Sequence, residues 1–305
     1  GVVVSSKRGL EIIKGQVVID CTGDGDVAAR SGVPFEYGNE ELHLVQPATM
    51  FFHICNVDSD ALEADIQANL HNFYRKDGVN YRSLHWRVSE ARENGDWSLK
   101  RVSVGLFRRP KKDEWCVNTS RIMGIDSTDN ESLTIAEVEG RKQADEIMRF
   151  LKKYVPGCEN AKLMSTASYI GIRESRHIQG EYRLTGEDLI SAKVPEDSIL
   201  LAANSVDVHG RFGPTSNEYV AIDGDYYGVP YRSLVPKKVE QLLLAGRCVS
   251  ADSTAAGAIR EMPPCMGMGQ AVGCAAALAI KHSVNVRNVD SVELRELLRS
   301  NGAVL

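Results

Sequence analysis

The chain has 305 residues, 43% hydrophobic and 25% charged, with 36 Lys plus Arg against 41 Asp plus Glu for a net charge of −5. That length predicts about two domains with ample apolar mass for a core, and scattered positive residues in an acidic chain exclude the electrostatic footprint of a nucleic-acid surface. The seven cysteines, Cys21, Cys55, Cys116, Cys158, Cys248, Cys265 and Cys274, form no C-x-x-C pair and no metal-ligand spacing. No metal site or disulfide framework is therefore expected, and the odd count suits a reducing, cytoplasmic compartment. The chain begins Gly1-Val2-Val3-Val4, with neither Met nor a signal-peptide pattern, and reads as a fragment whose upstream targeting signal is not visible.

Val2-Val3-Val4 and Glu11-Ile12-Ile13 flank a Lys7-Arg8-Gly9 turn and predict a hairpin, and Gln16 to Asp20 predicts a buried strand. Cys21-Thr22-Gly23-Asp24-Gly25 then makes a glycine turn opening a short helix that Gly32 stops. Thr49 to Ile54 predicts a second strand, and the helical spacing of Ala61, Leu62, Ile66, Leu70 and Phe73 predicts a helix after it. From Leu84 to Asn118 charged and aromatic residues alternate around Trp86, Trp97, Phe107 and Trp115, which predicts antiparallel strands with one wet face. Thr134-Ile135-Ala136-Glu137 reads as a capping box, with Ile135, Val138, Ile147, Met148, Leu151 and Val155 on the buried face until Pro156-Gly157. Residues 186 to 228 mix short apolar runs with Gly and Pro and predict mostly loops. Leu242-Leu243-Leu244 predicts a buried strand, Ser250 to Glu261 a polar connection, and Pro263-Pro264 the start of a Gly/Ala-rich helix. Met262 to Ile280 is long enough to span a membrane, but Gln270 and the Gly and Ala content predict a buried helix and no membrane span. Ser291 to Arg299 predicts a closing amphipathic helix ended by Asn301-Gly302.

Three constellations bear on chemistry. Gly23-x-Gly25-x-x-Ala28 stands between a strand and a helix, as a dinucleotide fingerprint requires. Asp24 and Asp26 would set two carboxylates beside the phosphates, which disfavours the literal fingerprint; a tight turn with Asp caps is the simpler reading, and a calcium loop of Asp20, Asp24 and Asp26 the weakest. Gly246-Arg247 and Ile259 to Gly273 form a strand, a loop and a helix whose first turn lacks bulky side chains, suited either to a cofactor edge or to tight packing on a sheet. Arg247 and Arg260 each suit a phosphate or a carboxylate. Arg173, Arg176 and His177 share a face on a helical turn, and Arg173, Ser175 and His177 do so on a strand; the alternatives are an anion or substrate site and a face ion-paired with Glu174 and Glu181. His209 and the Tyr231-Arg232 pair stand in loop-rich sequence, where ligand contacts often sit. The chain has no G-x-S-x-G elbow, H-E-x-x-H or G-x-x-x-x-G-K-[ST], so hydrolase and NTPase readings lose their usual support.

Val17 to Ala28, Gly171 to Thr185 with its Arg-Glu-Ser-Arg core, and Tyr231 to Gly273 together resemble the bacterial FAD-dependent oxidoreductase family, which has a glutathione-reductase-like flavin fold. The resemblance implies an α/β chain with part of a discontinuous FAD-binding domain, residues 1–34 and 226–305, interrupted by an α+β substrate or cap domain over residues 35–225. It implies FAD held by Thr22, Gly23, Asp24, Gly246, Arg247, Arg260, Pro264, Gly267, Met268, Gly269 and Gln270. The 267–270 backbone and the helix dipole would then stabilise negative charge at the flavin pyrimidine edge. Gly23 would be a secondary turn, the G-x-G-x-x-G lying in an upstream strand-turn-helix unit. The implied reaction moves a hydride between flavin and a small substrate, anionic on this reading, which Arg173, Arg176, His177 and His209 would orient or serve with a proton. The competing expectation is a non-catalytic binding or assembly module, a flavoprotein-like remnant without cofactor. A dithiol-disulfide flavoenzyme would need a close cysteine pair, which the spacing does not supply.

Overall fold

An unbroken apolar run suits a strand covered on both faces, and Leu242–Leu244 is such a strand, fully buried and paired in parallel with Val18–Asp20 in the register Leu242 to Val18 and Leu244 to Asp20. The computed structural model describes residues 1–76, 79–210 and 217–305. The chain divides into two units, one of Gly1–Leu44, Glu174–Val208 and Tyr219–Leu305, the other of Val45–Arg173 and His209–Glu218.

The first unit opens with the expected hairpin, β1 (Val2–Ser6) and β2 (Gly9–Ile13), followed by β3 (Val18–Asp20), α1 (Asp26–Arg30) and β4 (Phe35–Tyr37). The hairpin, β3 and α1 fall where the apolar runs and the glycine turn predict them, but β4 was not expected, and β3, expected to be buried, leaves Ile19 37% exposed.

The second unit holds β5 (Phe52–Cys55), α2 (Ser59–Ala68), β6 (Tyr74–Lys76), β7 (Val79–Tyr81), α3 (His85–Glu93), β8 (Leu106–Arg108), β9 (Trp115–Val117), α4 (Asn130–Tyr154) and β10 (Lys162–Thr166). Its sheet has the order β10-β5-β9-β8 and is antiparallel throughout. Phe52, Ile54, Trp115 and Val117 turn inward to pack with Ile147, Phe150 and Leu151 of α4. Two expectations are corrected here. Residues 85–93 are a helix, because Leu84, Val88 and Ala91 recur at helical spacing and are fully buried, and that burial outweighs the alternation of charge and aromatics. The helix expected from Thr134 starts at Asn130: Asp129 is the N-cap, its carboxylate accepting from Glu131 and Ser132 N–H. Thr134 instead donates to the Asn130 carbonyl, and Ile135 and Val138 face solvent.

The chain then returns to the first unit through β11 (Arg176–Ile178), α5 (Gly186–Ile190), β12 (Ser198–Ala202), β13 (Val206–His209), β14 (Asn217–Val220), β15 (Tyr227–Pro230), β16 (Leu242–Leu244), α6 (Ser253–Ile259), α7 (Met262–His282) and α8 (Ser291–Ser300); the unit boundary crosses β13 and β14. The region expected to be mostly loop therefore contains four strands and α5, which a capping box between Thr185 and Asp188 starts. The expected polar connection contains α6, capped by Asp252. β12, β15, β16 and the inner face of α7 enclose one core with Tyr227, Leu234, Met268, Ala271 and Leu294. Among the described residues one helix, α7, is long and apolar enough to cross a membrane; its inner face packs on β12, β16 and α8.

The helix start is testable by capping. Asp129→Ala should lower the unfolding free energy by about 1 kcal/mol, whereas Thr134→Ala, in the interior of α4, should lie within about 0.5 kcal/mol of the parent. Urea denaturation of the two variants separates these outcomes, and the reverse ranking would restore the later start.

Candidate functional site

The strand-turn-helix after β3 is held from inside. Asp20, with no solvent exposure, accepts from Thr22 N–H at 2.9 Å, Thr22 Oγ1 at 2.6 Å and Ala28 N–H at 2.8 Å. Thr22 Oγ1 accepts from Asp26 N–H at 2.7 Å, and Gly25 N–H donates to the Thr22 carbonyl at 3.3 Å. The Gly25, Asp26 and Ala28 N–H groups at the start of α1 are thus engaged within the turn, which sets this Gly-x-Gly segment apart from an open phosphate cradle. Gly25 has φ +64°, and a Cβ there would lie 2.7 Å from Ile178 Cγ1, so both backbone and packing require glycine.

The Asp residues of the turn gather cations. Asp24 accepts from Ser175 Oγ at 2.6 Å and from Arg247 Nη2 at 2.9 Å. Arg176 Nη1 donates to the Asp24 carbonyl at 3.1 Å and to Asp26 Oδ1 at 2.9 Å, with its guanidinium 5.2 Å from the Phe35 ring centroid. The Arg247 guanidinium lies over the Gly23 backbone, where any Cβ would overlap it. Thr22, Gly23, Asp24, Arg176 and Arg247 therefore form one cluster. The acid that pairs with Arg176 is Asp26 of the turn.

His177 sits beside this cluster in sequence but inside the core, 3% exposed. Its Nε2 is 3.0 Å from Glu174 Oε1, which also accepts from Ser253 Oγ at 2.5 Å, while His177 Nδ1 is buried without a hydrogen bond. Arg173 and His209 belong to the second unit. There Arg173 Nη1 donates to the Pro47 carbonyl and to Thr49 Oγ1, both at 2.5 Å, and Arg121 Nη2 lies 3.1 Å from His209 Nδ1. The four residues expected to serve the substrate are thus two in each unit.

The glycine-rich helix has two distinct faces. Pro264 and Met268 are buried, and a Cβ on Gly267 would lie 2.8 Å from Leu200 Cδ2, so that glycine serves packing. Gly269, Gln270, Met262 and Met266 face outward, the two methionines about three-quarters exposed. A Cβ on Gly269 or Gly273 would meet no atom within 4 Å. Gly269 and Gly273, four residues apart, stand on one face of the helix. The expectation of free backbone donors at 267–270 is corrected: these residues lie past the first turn, where each N–H is bonded to a carbonyl four residues earlier. Pro263 and Pro264 have no N–H, and Cys265 N–H donates to Glu261, so Met262 carries the remaining donor of the first turn. Before the helix, Gly246 has φ +97° with open space where its Cβ would stand. Arg260 Nη2 donates to the Asp207 carbonyl at 3.2 Å, and the Nε atoms of Arg247 and Arg260 are both buried without hydrogen-bond partners. Burial pushes the Arg260 pKa down, against the pull of Glu261, Asp207 and Glu174.

All seven cysteines are free. Burial pushes the thiols of Cys21, Cys116, Cys248 and Cys265 up, and that of Cys158 up to about 12. These thiols are the opposite of the depressed kind that attack or exchange.

The sequence profile of a family described as FAD dependent oxidoreductase matches residues 1–298. No curated protein and no solved structure matches the chain.

The turn yields a direct test. Gly25→Ala should destabilise the protein by about 2–4 kcal/mol, from the left-handed backbone and the clash with Ile178. In an Ile178→Ala background roughly half of that penalty should vanish, as read from denaturation midpoints; an unchanged penalty would show that packing on Ile178 plays no part.

Proposed function

Because the chain belongs to the FAD dependent oxidoreductase family, we propose that its first unit holds FAD along the open face of α7 and the Gly246-Arg247 turn, and that the enzyme transfers a hydride between flavin and a small anionic substrate. It is a FAD-dependent oxidoreductase, and the family does not favour the non-catalytic module. The observation that carries the site is the pair Gly269 and Gly273. Each glycine inside a helix costs about 1 kcal/mol relative to Ala, and nothing in the described chain lies close enough to demand it. A flat partner laid against that face accounts for both, and Met262 and Met266 flank it with polarizable, adaptable side chains.

Bound FAD supplies the hydride acceptor or donor. In this reading the chain's own residues position and balance charge. Asp24 fixes the Arg247 guanidinium over Gly23, and Arg260 stands ahead of α7 with its Nε lacking a partner; both cations offset phosphate charge. Arg176 and His177 are positioning residues, the first through Asp24 and Asp26, the second through Glu174 and Ser253. Arg173 and His209 keep the role of orienting the substrate, with the second unit as the substrate part. A two-stranded parallel sheet is short of the usual size, and the edge of β3 away from β16 pairs with no strand among the described residues. That edge supports an additional strand-turn-helix unit beside β3. Seven free cysteines support a cytoplasmic location.

Two measurements test the reading. The intact protein should show a visible flavin band that dithionite bleaches under nitrogen, and a colourless protein that ignores added FAD would overturn the assignment. Gly269→Ala and Gly273→Ala should each stabilise the FAD-free protein by about 0.5–1 kcal/mol while weakening FAD retention at least tenfold; unchanged retention would move the cofactor off this face.

A further inference from the structure

We propose that the second unit captures an extended acidic segment of a partner protein, laid as an additional strand along the edge of β10 and into the groove between that strand and α4. The proposal goes beyond the flavin reading and does not depend on it. A strand with a neighbour on one side only presents its outer N–H and C=O groups as a template for another chain, and β10 and β8 end the second unit's sheet in this way. β8 has three residues and offers little to pair with, whereas β10 has five, with Leu163 and Met164 each 47% exposed. Among the described residues the backbone of Lys162–Thr166 bonds to no element but β5.

A groove of about 450 Å³ runs beside this edge, within the range of ligand pockets. α4 forms one wall and β10 the other. Ala144 and Met148 of the helix supply apolar surface, and so does Leu163 of the strand, which pairs with the inward-facing Ile54. Successive side chains of a strand point to opposite faces, so a strand added to β10 would send every second side chain into the groove. Main-chain bonds and apolar burial would then act on the same ligand, which is how strand addition combines affinity with specificity.

The charge of the occupant follows from the rim. Arg141, Arg149, Lys152 and Lys162 line the groove, with Asp145 as the acid among its described lining. Arg141 and Arg149 are paired along α4 with Glu137 and Asp145, but among the described residues Lys152 and Lys162 make no ion pair. A two-fold contact puts the same patch on both sides, so a second copy of this chain would set these cations against themselves, and the bulge between Leu163 and Ser165 bends the edge away from a flat match with its like. An acidic strand turns the same lysines from a guard into an attraction.

Fluorescence anisotropy tests this with the intact protein and a labelled peptide, acetyl-Glu-Val-Glu-Val-Glu-Val-Glu-amide. One comparison peptide has Lys for every Glu. Another keeps the sequence but is N-methylated at two adjacent central amides, which removes a donor from each edge of the strand and leaves the charge. Saturable binding of the acidic peptide is expected, with both comparison peptides weaker by about tenfold or more. The double variant Lys152→Glu, Lys162→Glu should weaken the acidic peptide about tenfold and strengthen the Lys peptide, whereas Lys7→Glu in the first unit should change neither. Circular dichroism confirms that each variant is folded. No saturable binding, equal binding of the N-methylated peptide, or binding indifferent to the double variant in a folded protein would overturn the site, as would a dimer in analytical ultracentrifugation that the double variant dissociates, since the edge would then belong to a second copy.

Discussion

A carboxylate without solvent must be fully hydrogen-bonded or it destabilises the fold by several kcal/mol, and Asp20 meets that demand through Thr22 and Ala28. Those bonds dictate much of what surrounds them in the first unit. They draw the start of α1 back onto the end of β3, which forces the left-handed backbone at Gly25 and brings that glycine against Ile178 and Cys248. With the turn fixed, Asp24 and Asp26 are presented outward, and Ser175, Arg176 and Arg247 converge on them. The turn looks like a nucleotide fingerprint in sequence, yet it works as a bracket: its donors serve its own acceptors, and its acids hold the arginines.

The glycines of α7 divide the same way when asked what each one avoids. Gly267 lets the helix approach Leu200 of β12, so its absence of a side chain is explained inside the chain. Gly269 and Gly273 leave open space and weaken the helix for no internal gain. A helix both apolar and glycine-rich can be buried, membrane-spanning or one-faced, and composition alone does not choose. Here one face packs in the core and the other is open.

The parts legible in sequence were those whose cause is local. Runs such as Gln16 to Asp20 and Leu242 to Leu244, the stop at Gly32 and the close at Asn301-Gly302 depend on neighbours within a few residues, and the elements follow them. The failures have tertiary causes. Leu84, Val88 and Ala91 carried a helical period, but Trp86 and the surrounding charges masked it until burial chose between periods. Ser250 to Glu261 read as a polar connection, although Gly257, for want of a side chain, lets α6 approach Val208. The bonds of the Asp24 cluster were not legible in the sequence. Asp24 and Arg247 stand 223 residues apart, and nothing in either neighbourhood announces that one will hold the other. His177, read as a cation of the site, proves to be a core residue because Glu174 and Ser253 supply its surroundings.

The pairing of Arg247 with Asp24 has a consequence for how the first unit can treat an anion. A guanidinium already bound to a carboxylate attracts a further negative charge less, since the pair is close to neutral at a distance, but it is fixed in direction and keeps unused donors. Arg247 is of this kind: Nη2 is committed to Asp24 while its Nε stands unbonded, an arrangement suited to aligning a ligand that other contacts hold.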